Sequence, residues 1–216
     1  MNLQRLTLLT TNFTEASDAR LNAFAFDHIQ RLTQANASGA LSTRLTEVQS
    51  AYTACFGTMS DEAQATAQRE GLTQTANQAL AALKDALSDG EAAVQVAFGK
   101  DSATYQEFFP QGLTEYRRAT LTTASALFTR FVDTAKAHQA ALGAAFASKY
   151  EGLLAAYLTA HSAQRIRKGA VSELKAASCI QRDLLEKILW KSALLLAAEH
   201  VGDSAALGVY FDTTRL

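Results

Sequence analysis

Leu21, Phe24, Ala25, His28 and Leu32 recur at spacings of three and four, which places them on one face of a helix. After a weak break at Ala37-Ser38-Gly39 the stripe resumes at Leu41, Leu45, Val48, Tyr52, Cys55 and Phe56. Gly57 followed by Ser60-Asp61-Glu62 predicts a stop and a new start. Ser60 is a capping residue type, and the two acids suit the positive end of a helix dipole. A second stripe, Leu72, Ala76, Ala79, Leu83, Leu87, Val94 and Phe98, crosses Ser88-Asp89-Gly90, where a kink or interruption is expected. It ends at Gly99-Lys100-Asp101.

The segment from Asp101 to Gly112 carries the chain's one proline, Pro110, preceded by Tyr105, Phe108 and Phe109. Proline disfavours helix at the residue before it, so this stretch reads as a connector anchored by aromatic burial. From Leu113 the pattern Tyr116, Thr120, Ala124, Leu127, Phe131, Ala135, His138, Leu142, Phe146, Leu153, Tyr157 advances almost without slippage. Unbroken to Ala160, such a helix would be about 70 Å long at 1.5 Å per residue, with Gly143 and Gly152 as places to bend. A polar connector is expected from His161 to Gly169. The last helix, near Ser172 to Val201, has a stripe of Leu174, Ala177, Ile180, Leu184, Leu185, Ile188, Leu189, Leu195 and Ala198, wide enough for a bundle interior. Gly202 would close it.

These spacings predict an all-α fold: an elongated, mostly antiparallel bundle of about four long helices, with coiled-coil-like packing. The chain is expected to form a single domain over residues 1–216. Residues 101–112 join two helical hairpins, and 202–216 form a C-terminal tail. Leu6-Thr7-Leu8-Leu9 and that tail form at most a small extended pair.

Composition narrows the class. Of 216 residues, 43 are alanine and one is proline, which excludes a collagen-like, disulfide-scaffold or disordered chain. The net charge is -1, so there is no global attraction to nucleic acid or to an anionic membrane. No signal-peptide apolar stretch follows Met1, and the most apolar run, Ser192 to Ala198, is far too short to span a bilayer. A cytoplasmic protein without a membrane partner is the expectation. Cys55 and Cys179 lie in separate apolar-periodic segments and read as free, packed thiols, or as a disulfide if their helices adjoin.

Candidate chemistry is sparse. His28 and His138 fall on apolar stripes and would face each other across a bundle as a metal or polar pair; otherwise they are hydrogen-bonded core residues. The residues three before the four histidines are Ala25, Ala135, Leu158 and Ala197, which removes the Glu-x-x-His di-iron pattern. His161 and His200 suit helix ends. There is no Gly-x-Ser-x-Gly elbow and no phosphate-cradling glycine loop. The expectation is a non-enzymatic protein that uses no cofactor.

Charge says more. Residues 61–107 carry a net -5 and residues 117–191 a net +7. Either these regions compensate each other within the chain, or the acidic side of one copy meets the basic side of the next. Arg165, Arg167 and Lys168 form a basic cluster that reads as a solvated loop or as a site for nucleic acid or anionic lipid. The aromatic groups Tyr105, Phe108 and Phe109, with Tyr210 and Phe211, either cap open ends of the bundle or dock on a neighbouring copy. Together these features predict a structural or interaction protein that self-associates through helical and aromatic surfaces. The alternatives are a small-molecule- or metal-binding bundle and an anion-binding helical protein.

Overall fold

The computed structural model describes residues 13–201, 203–212 and 215. Residues 6–9 and Gly202, read above as an extended segment and a helix-closing glycine, lie outside them. The structure is 84% helical, with no strand among the described residues. The helices are α1 (Asp18–Ala35), α2 (Ser42–Phe98), α3 (Ala103–Phe108), α4 (Thr114–Arg117), α5 (Ala124–Ala137), α6 (Gln139–Leu142), α7 (Ala144–Glu199) and α8 (Ser204–Gly208). The all-α reading with long helices holds: α2 has 57 residues and α7 has 56.

Contacts divide the chain into two compact units, Met1–Gln64 with Ser172–Leu216, and Ala65–Val171. Both long helices contribute to both units.

In the first unit, Ser17 caps α1 by accepting from the Arg20 backbone N–H, with Asp18 in the first turn. The turn into α2 is tied by Asn36, whose Oδ1 accepts from Leu41 N at 2.8 Å and whose Nδ2 donates to Ser42 Oγ at 3.0 Å. Gly39 supplies the positive φ of 80° that the turn requires. Ion pairs Arg44–Glu199 and Lys191–Glu47 set α2 antiparallel to the end of α7. His28–Ser192 and Asp18–Arg182 set α1 parallel to it. The result is an up-down-up trio around Leu21, Phe24, Leu32, Val48, Cys55, Leu185, Leu189 and Leu196.

In the second unit, α5 runs antiparallel to the first part of α7, as the contacts Phe131–Tyr150 and Tyr157–Leu121 show. The core is aromatic: Phe108, Phe109, Tyr116, Phe128, Phe131, Tyr150 and Tyr157, together with Leu83, Leu87 and Val94 from α2.

Three expected boundaries are corrected, and the interruption expected at Ser88-Asp89-Gly90 is likewise absent from α2. The first is the break at Gly57 and Ser60: α2 passes through both without a stop. Gly57 keeps a negative φ, no proline intervenes, and burial of Cys55 and Ala65 on either side outweighs the roughly 1 kcal/mol cost of a helical glycine. The second is the long helix expected from Leu113, which is instead divided. Thr120, Thr122 and Thr123 bond among themselves and to the Thr120 N–H, an arrangement that competes with helix, and Gly143 adopts φ 84°. The third is the connector at His161–Gly169, which is continuous helix within α7. Its residues are mostly good helix formers, and it is held between buried Tyr157 and Val171.

Candidate functional site

His28 is fully buried on α1. The Tyr210 carbonyl can only accept, so Nδ1 donates to it at 2.9 Å. Nε2 is then the acceptor for the Ser192 hydroxyl, also at 2.9 Å. The ring stacks on Phe211 with centroids 4.4 Å apart. Burial lowers its pKa to about 4; the Tyr210 carbonyl and Asp27 oppose this, while Arg44 adds to it. The imidazole is therefore neutral and has both nitrogens satisfied. It joins α1, α7 and the C-terminal segment.

His138 belongs to the other unit. It is the C-cap of α5, its Nε2 lies 2.9 Å from Glu107, and its ring contacts Phe98 and Phe108. The two histidines expected to share an interior thus have separate partner sets. No group of three or more His, Cys, Asp or Glu suited to a metal occurs among the described residues.

The aromatic groups are placed inside their own units. Tyr105, Phe108 and Phe109 are buried, and Tyr116 donates its hydroxyl to the Phe108 carbonyl at 2.7 Å. Phe211 is 9% exposed and Tyr210 half-buried against His200. Each of these side chains packs against apolar residues of its own unit, with Tyr210 left partly exposed. The intramolecular capping role is the one the contacts support.

The basic cluster is also rearranged. Arg165, Arg167 and Lys168 lie in continuous helix rather than on a connector, and helix geometry sends Arg165 and Arg167 to nearly opposite sides. Arg165 alone lines a 500 Å³ groove with Thr122, Ser125, Leu158, His161, Ser162 and Ile166. Four basic residues of 117–191 pair with acids that lie outside 61–107. Arg130 pairs with Glu115, Lys136 with Glu151, Arg182 with Asp18 and Glu186, and Lys191 with Glu47.

One feature escaped the sequence reading. The wide stripe on the last helical segment resolves into two faces. Leu185 and Leu189 are buried, as are Ala193 and Leu196 beside the stripe, whereas Ile180, Leu184 and Leu195 are exposed together with the adjacent Leu194, Ile180 at 65%. At 3.6 residues per turn the four exposed residues fall within about 100° of one another. Beside them a 230 Å³ cleft is lined by Phe13, Thr14, Asp183, Glu186, Lys187 and Trp190, the chain's one tryptophan. The signal was the stripe's width: one neighbouring helix covers a narrower arc than these residues span.

No family model, curated protein or solved structure matches this chain. No helix among the described residues is long and apolar enough to cross a membrane.

Proposed function

We propose that the protein is a non-enzymatic structural or interaction protein that self-associates through the exposed face of α7 in its first unit. The observation carrying this reading is the exposed pair Ile180 and Leu184, one turn apart on the side of α7 away from its buried side. Water-exposed side chains of this size, aligned on a rigid helix, gain free energy when a partner covers them.

The occupant is a second copy, and the charges favour an antiparallel pairing. Glu173 lies seven residues before Ile180 and Lys187 seven after, both exposed and on the same face. Neither forms an ion pair with another described residue. A two-fold axis at Ile180, with the two helices crossing there so that contact runs only from Glu173 to Lys187, brings each Glu173 opposite the Lys187 of the other copy. It also sets each Leu184 against the small Ala176, a large-into-small fit suited to an isologous helix contact. Trp190 sits at the cleft beside this face, as an aromatic that interface cores favour. A cytoplasmic location belongs to the same reading and accords with Cys55 and Cys179 both being free thiols.

Light scattering over a range of concentrations tests the proposal. The expected result is a dimer for the natural chain and a monomer for Ile180→Glu, with helix content unchanged by circular dichroism. Ile180→Cys in a Cys179→Ser background should cross-link under mild oxidation. A natural chain that stays monomeric at the highest concentration sinks the reading.

A further inference from the structure

The groove lined by Arg165 is the second place where side chains converge without an explained purpose. It lies within the second unit, between the Thr120–Thr123 turn with the start of α5 on one side and α7 on the other. Three hydroxyls, Thr122, Ser125 and Ser162, face it together with His161 and Arg165, and no carboxylate is among its lining residues. Arg165 is exposed and forms no ion pair with another described residue. The His161 ring is held by stacking on Tyr157, centroids 5.6 Å apart, with Nδ1 3.4 Å from the Tyr157 hydroxyl. Tyr157 is itself fixed, donating to the Leu121 carbonyl at 2.6 Å. Leu158 and Ile166 supply apolar walls.

We propose that this groove binds a small phosphomonoester bearing an apolar group, with Arg165 as its charge partner. A guanidinium forks onto two phosphate oxygens, and hydroxyl donors suit the rest. The apolar walls cover the organic part, and the missing carboxylate removes the usual competitor for the arginine. The volume of 500 Å³ falls in the range of small-ligand sites.

Phenyl phosphate is the probe, titrated into the full chain and followed by amide chemical shifts, with inorganic phosphate and benzoate as comparisons. The expected result is saturable shifts centred on Ser125, His161 and Ser162, tighter for phenyl phosphate than for either comparison. Arg165→Gln should weaken it at least tenfold, while Arg167→Gln, on the other side of the helix, should change it less than twofold. Equal weakening by both variants means general electrostatics and overturns the site. Inorganic phosphate binding as tightly as phenyl phosphate overturns the role of the apolar walls. Absence of shifts at millimolar probe overturns the proposal outright.

Discussion

Tyr150 lies directly against Gly90: its hydroxyl donates to the Ala86 carbonyl at 2.6 Å, and a Cβ on Gly90 would overlap that hydroxyl. Burial raises the Tyr150 pKa to about 12, with the Asp89 carboxylate adding to the effect, so the phenol stays protonated and donating. Gly90 is thus a close-approach residue inside a continuous helix. Replacing it with alanine gains about 1 kcal/mol of helix propensity but displaces a buried tyrosine and its hydrogen bond. The expected net effect of Gly90→Ala is a loss of about 1–2 kcal/mol in urea unfolding. In a Tyr150→Phe background the loss should shrink. An unchanged or raised midpoint in the natural background would show that Tyr150 moves aside freely.

Gly57 should behave in the opposite way. It is helical, and a Cβ there meets nothing within 4 Å. Gly57→Ala is expected to stabilise the chain by about 0.5–1 kcal/mol, partly by restricting the unfolded state. A destabilised variant would indicate that α2 bends at this point in solution.

His28 makes stability depend on pH. Its pKa is lowered from 6.5 to about 4 in the folded chain. Between those values the unfolded chain binds the extra proton, so stability is fully present above pH 6.5 and falls with acidification until about pH 4. The difference of about 2.5 units corresponds to about 3 kcal/mol. Urea unfolding of the natural chain and of His28→Gln at pH 7.5 and pH 4.5 isolates the contribution. The gap between the two proteins should narrow in acid, because only the imidazole must be held neutral. A gap independent of pH would remove the histidine from the acid response.

The C-terminal segment is expected to act as a cap. Phe211 stacks on His28 and Phe24, Arg31 donates to the Gly208 carbonyl at 3.0 Å, and Arg215 pairs with Asp27. Deleting residues from Val209 onward should lower stability by about 2–4 kcal/mol, chiefly through the lost phenylalanine and the unpaired His28 nitrogen. Oligomeric state should not change, since the proposed association face lies on α7. Scanning calorimetry with light scattering checks both parts. Loss of assembly at an unchanged melting temperature would transfer the association role to the tail.

The spacing of apolar residues by itself determined that this chain is helical. It also marked the α1 face from Leu21 to Leu32 and the end of α2 before Gly99, because local periodicity and positive-φ glycine act within a few residues. The continuity of α2 through Gly57 and of α7 through His161–Gly169 was decided by tertiary packing. Burial on either side offsets a propensity cost that looks like a break when read locally. The same holds for function-bearing residues. Whether Ile180 faced a core or water, and whether Phe109 and Phe211 docked inside or outside, depended on which helix lay alongside. Arg165 gained its groove, and His28 its partners Tyr210 and Ser192, from segments distant in the chain. A helical stripe records that a side chain is apolar and which way it turns; only the packed neighbour decides what covers it.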